Sequence, residues 1–228
     1  MIYSKQRKNL KRESFAVEET LTLKEKAYII LKKQILDGTY RPGEFLTERA
    51  LVDDLKMSRT PIRAAIERLE VEGLINHSPN QGLVVAELSL SKAVDIYDLR
   101  ISLEAHVVRK LSLRDWTNEE KEWFTNNLKE QKQCLEERNY PSFTILDADF
   151  HNKLVFLYEN EEMIKIMENI QDQLQLIAIK VLRKESKRIV QSYEDHLNIY
   201  QNIIAGNDEE AARLITTHLE FGKRILIS

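Results

Sequence analysis

Four of the six glycines in this 228-residue chain fall between Gly38 and Gly82. Tight turns are therefore confined largely to the first third, and the longer remainder must be built from long, glycine-poor elements. Within the glycine-bearing third, Thr22-x-x-Glu25 forms a capping box that opens a helix with Ala27, Leu31 and Ile35 on one face. "LDGTYRPGE" closes that helix, with Gly38 as the stop and Pro42-Gly43 as a turn. A second helix, "TERALVDDLK", is predicted to start from Thr47 and to turn Ala50, Leu51 and Leu55 inward. A short turn at Met57 leads into "SRTPIRAAIERLEVEGLI", whose Ile62, Ala65, Ile66 and Leu69, with Val71, follow the helical period. "LINH-SPNQG-LVVAE" then reads as two short strands around a turn.

Helix, helix, turn, helix and hairpin make a winged helix-turn-helix. Ser58 is predicted to cap the third helix, and Pro61 falls in the first turn, where a missing N–H costs nothing. The helix then starts at Arg59 with its positive dipole end outward, suited to a phosphate. Arg59 and Arg63 share a face and can reach phosphates or guanine edges. Charge agrees in sign: residues 1–86 hold 15 Lys and Arg against 12 Asp and Glu, leaving 19 against 25 for the rest.

The motifs "G-x-x-x-P-G", "L-T-E", "S-R-T-P-I-R" and "L-x-x-x-G-L-I", with a wing glycine, resemble the DNA-binding domain of GntR-type bacterial regulators. The resemblance implies that Arg49, Ser58, Arg59, Thr60 and Arg63 contact operator DNA and that the wing at Gln81 and Gly82 enters a minor groove. "RAAI" stands where the family has Arg-Glu-Ala-Leu, and the wing tip lacks the usual basic residue.

Beyond residue 90 no strand pattern is convincing, and helices are predicted near 90–112, 117–138, 142–158, 161–182, 192–205 and 208–226. Thr117 and Asp208 serve as caps of the second and last. The domains expected are a flexible basic arm at 1–20, a winged helix-turn-helix at 21–86, a linker at 87–90 and an all-helical antiparallel bundle at 91–228. Asp147 and His151 lie one turn apart, and His151, His196 and His218 each sit among apolar neighbours. Three inward imidazoles and a carboxylate suit a divalent ion, zinc or nickel above others. His77, on the first wing strand, reads as a surface or phosphate-side residue, and His106, without a matched partner, as core or surface. Cys134 reads as an ordinary helix residue, and Trp116 and Trp123 as packing.

This half resembles the FCD ligand-binding domain of the FadR subfamily, through "DLRISLE", "DADFH", "EDH" and the last histidine. The resemblance implies that Asp147, His151, His196 and His218 bind the metal and that Arg100 holds an anionic effector beside it, against the simpler alternative of an Arg100–Glu104 salt bridge. The family's Gly-Asn before the fourth helix is here Glu159-Asn160, with Asn160 still able to cap.

The expectation is thus a cytoplasmic transcription factor and not an enzyme: a repressor, homodimeric on a palindromic operator and controlled by a small carboxylate bound at a divalent metal. One competing reading is a metallohydrolase using the His/Asp site, although no HExxH motif is present. Another is a regulator with a metal-free acyl pocket. No stretch is apolar enough to span a membrane, the basic N-terminus lacks a signal-peptide core, and the single cysteine fits a reducing compartment.

Overall fold

The computed structural model describes residues 21–36, 38–78, 82–87, 89–185 and 188–228. The expected basic arm at 1–20 and the wing residue Gln81 lie outside the described residues. Two compact units divide between residues 87 and 88.

The first unit begins with α1 (Leu23–Leu36), capped as expected: Thr22 N–H donates to Glu25 and Glu25 N–H donates back to Thr22 Oγ1. Next come β1 (Phe45–Leu46), α2 (Glu48–Leu55), α3 (Arg59–Val71), β2 (Ile75–Ser78) and β3 (Gly82–Val85). The sheet runs β1-β3-β2, antiparallel throughout, with Leu46 opposite Leu83 and Ile75 opposite Val85. Sequence reasoning missed β1, because a two-residue strand carries no readable alternation. Gly82 has φ +90, and a Cβ there would stand 3.2 Å from Leu46 O, so the wing strand approaches β1 through a glycine.

α3 buries Pro61, Ile62, Ala65, Ile66 and Leu69. Val71 was expected on that face but is 89% exposed, since two residues past Leu69 is a 200° rotation. Ala50 is likewise exposed, leaving Leu51 as the buried anchor of α2. The far end of α3 is fastened to α1. Tyr28 Oη donates to Glu72 Oε1 at 2.7 Å, Lys32 pairs with Glu72 at 3.0 Å, and the Arg68 guanidinium lies 3.6 Å from the Tyr28 ring centroid.

The second unit is helical: α4 (Leu90–Ser112), α5 (Asn118–Glu136), α6 (Tyr140–Leu157), α7 (Glu161–Lys184), α8 (Arg188–Ile204) and α9 (Asp208–Ile227). Thr117 and Glu120 form the expected capping box. Two starts differ from expectation. α8 begins four residues earlier than expected, carrying Arg188 into the helix. Asn207, not Asp208, holds the N-cap position of α9, and Asp208 enters the first turn, where its charge favours the dipole. Glu159 adopts φ +57 where the family has glycine, and Asn160 caps α7 by accepting from Glu162 N and Met163 N. α4 packs along α9, and α6 lies against α5 and α7. Phe124 and Phe150, edge to face at 5.4 Å, anchor the core beside the histidines.

Candidate metal centre and nucleic-acid interface

α6 supplies Asp147 and His151, α8 supplies His196, and α9 supplies His218. One ligand atom from each of these four lies within 4.8 Å of all the others. The three imidazoles are buried and Asp147 is partly so. His196 Nε2 lies 3.3 Å from His151 Nε2 and 3.5 Å from Asp147 Oδ1. Two donors each about 2.1 Å from one ion stand roughly 3–3.5 Å apart, so both spacings fit a shared cation.

The other ring nitrogens show which atoms carry protons. His151 Nδ1 lies 2.5 Å from the Glu104 carboxylate and His218 Nδ1 3.0 Å from Asp195, and both acceptors require an Nδ1–H. Arg188 Nη2 also lies 2.9 Å from His218 Nδ1. A guanidinium cannot accept that proton, so its bond is the one to His218 O at 3.0 Å. His196 Nδ1 meets Gln131 Oε1 at 2.9 Å; Gln131 Nε2 donates to Asn127 Oδ1, and Asn127 Nδ2 donates to the Leu146 carbonyl. A backbone carbonyl can only accept, which fixes the polarity of this chain and puts a proton on His196 Nδ1. With the rings neutral, as metal donors must be, all three Nε2 atoms present lone pairs.

Two such lone pairs 3.3 Å apart in His151 and His196 cannot form a hydrogen bond with each other. They repel unless a cation lies between them. The donor set thus fits a divalent metal, and each histidine is oriented by an outer carboxylate or amide, as metal-bound histidines are. Burial disfavours the charged form of two of these rings, His196 and His218. Burial, reinforced by His218 and His151, drives the His196 pKa well below its ordinary value. Burial likewise lowers His218 to about 4, against the opposing pull of Asp195. Glu104 would be pushed up by burial, but Arg100 and His151 bring it down to about 2.

Beside these donors lies a cavity of about 70 Å³, lined by Tyr97 and Arg100 of α4, one face of α7, Arg188 of α8 and Gly222 of α9. Arg100 does form the simple salt bridge, Nε to Glu104 Oε1 at 2.6 Å. It also lines the cavity. Arg188, paired with Asp195 at 3.0 Å, was missed. His106 meets the Tyr158 hydroxyl at 3.0 Å, and His77 is exposed near Glu70. Cys134 is buried in a small cluster with Phe143.

In the first unit, Arg49, Ser58, Arg59, Thr60 and Arg63 are all exposed. Ser58 holds the N-cap position with extended backbone, but its hydroxyl makes no capping bond, contrary to expectation. The first turn of α3 carries no acidic residue. Arg63 pairs with Glu48 of α2 at 2.9 Å, both side chains being well exposed.

Residues 23–85 match the bacterial regulatory proteins of the gntR family, and residues 95–221 match the FCD domain. The chain is 32% identical over 181 residues to the nta operon transcriptional regulator of Aminobacter aminovorans, covering 79% of this chain and 83% of that protein. It is 26% identical to the gluconate operon transcriptional repressor of Bacillus subtilis, over 75% of this chain and 69% of that one. A GntR-type transcriptional regulator from a Rhodococcus species has the same fold, with TM-score 0.77 at 22% identity over 90% of this chain and 97% of that chain.

Proposed function

The chain belongs to the GntR family of bacterial regulators and is a DNA-binding transcriptional regulator with an FCD domain, and we propose that it is a repressor governed by a small carboxylate at a metal centre. Asp147, His151, His196 and His218 would hold a divalent ion, zinc or nickel, which supplies charge and an open position for a carboxylate oxygen. Arg100 orients the same carboxylate through its terminal nitrogens. Arg49, Ser58, Arg59, Thr60 and Arg63 present the operator face, with Gln81 and Gly82 on the wing. A homodimer in the cytoplasm reads a palindromic site, each protomer supplying one recognition helix. The effector acts by favouring one dimer arrangement over another.

The observation that carries the metal centre is the convergence of three Nε2 lone pairs and one carboxylate. Four converging polar donors disfavour an acyl chain, since an apolar pocket would not need them. Families and relatives of this chain are transcriptional regulators and not enzymes, which removes the metallohydrolase alternative.

Thermal unfolding tests this reading. Chelator-treated protein should melt roughly ten degrees lower than protein resupplied with zinc or nickel, if metal is present at about a thousand times its Kd. Equal melting with and without metal would overturn the metal centre. Operator symmetry is tested by selecting binding sites from random duplex DNA, where recovery of only asymmetric sites would contradict a dimer on a palindrome.

A further inference from the structure

Among the polar groups lining the cavity that are neither metal donors nor their supports, Tyr97 is the one on the helix face of Arg100 and Glu104. Tyr97, Arg100 and Glu104 lie at i, i+3 and i+7 on one face of α4. Tyr97 is 6% exposed and lines the cavity with Arg100, Asp147 and Arg188. Its hydroxyl makes no hydrogen bond among the described residues and is open to the cavity rather than sealed from it. The charges it feels are, in order, Arg100, Asp147, Arg188 and Glu104, so the hydroxyl sits among the groups that surround the metal donors. Burial pushes its pKa up to about 12. At neutral pH it is therefore a donor.

Gly222 explains how it fits there. A Cβ at this α9 position would overlap the Tyr97 hydroxyl and stand 3.1 Å from its Cζ. Glycine is disfavoured inside a helix, and here it leaves the space that the phenol occupies.

We propose that Tyr97 is a ligand-binding residue whose hydroxyl donates to a second oxygen of the effector, Gly222 keeping that hydroxyl in place. The inference rests on the metal centre proposed above and narrows its effector. With the metal and Arg100 engaging one carboxylate, Tyr97 and the Arg188 guanidinium leave donors for another oxygen. The effector class is then a short carboxylate bearing a hydroxyl or a second carboxylate.

The test uses full-length protein loaded with cobalt, whose visible absorption reports its ligands, titrated with 2-hydroxypropanoate and with propanoate. Wild type should bind the hydroxy acid roughly tenfold or more tightly than propanoate. Tyr97→Phe should hold cobalt as wild type does and lose that preference. Gly222→Ala should lose it too and melt lower, with Tyr97→Phe in the same chain restoring part of the stability. An unchanged preference in Tyr97→Phe, or no spectral response to either acid at tens of millimolar, overturns the proposal. If wild type takes up no cobalt before any acid is added, the metal centre itself fails, and this inference with it.

Discussion

At the residue scale, the Arg63–Glu48 pair is the point where the proposed operator face would have to rearrange on binding DNA. Both partners are more than a third exposed, so the pair contributes less than about 1 kcal/mol and yields readily to a phosphate or a guanine edge. Glu48→Gln should therefore strengthen DNA binding a few-fold and raise the number of counterions released, measured as the salt slope of the affinity. Arg63→Ala should cost about 1–3 kcal/mol at the operator if it reads a base. A uniform loss on all sequences would make it a phosphate contact instead. Intact binding in an Arg59→Ala, Arg63→Ala double variant would overturn the α3 assignment. The metal donors illustrate what single residues disclose. Period and apolar neighbours pointed His151, His196 and His218 inward. Their proton-fixing partners stayed hidden, because Gln131 meets His196 across 65 residues, Glu104 meets His151 across 47 and Asp195 meets His218 across 23, and no local pattern encodes such pairings.

At the element scale, α3 is positioned by its attachment to α1 through Glu72. Burial would raise the Glu72 pKa, but hydrogen bonds from Tyr28 and Lys32 lower it on balance. A carboxylate with a depressed folded pKa stabilises above its unfolded value, near 4.3, and that stability is lost as pH falls through the folded value. Glu72→Gln should thus destabilise the first unit by about 1 kcal/mol at neutral pH, with the difference from wild type shrinking below about pH 4, as read by denaturant unfolding. A difference that persists unchanged at pH 3 would deny the ionic role. Element type and order were legible for all nine described helices, since apolar spacing and capping residues agree there. β1 and the first turn of α8 were not. The former is too short to show alternation, and the latter opens on Arg188, whose burial depends on Asp195 and His218 rather than on its sequence neighbours.

At the scale of the whole molecule, the ligand chemistry proposed for the second unit rests on four donors and two arginines. Glu104 couples them: one carboxylate oxygen takes Arg100 and the other His151. Arg100→Ala would leave that buried carboxylate half paired and disturb the metal donors as well. Arg100→Lys keeps the charge while removing the planar fork, so it should retain metal and operator binding and lose the response of operator binding to a carboxylate that affects wild type, measured by fluorescence anisotropy. A wild-type response would place the ligand away from Arg100. The most direct test of the central claim is native mass spectrometry of the full-length protein purified without chelator. Wild type should carry one divalent ion per chain, and a His151→Ala, His196→Ala, His218→Ala triple variant that still folds should carry none. Equal metal content in the two proteins would contradict the account.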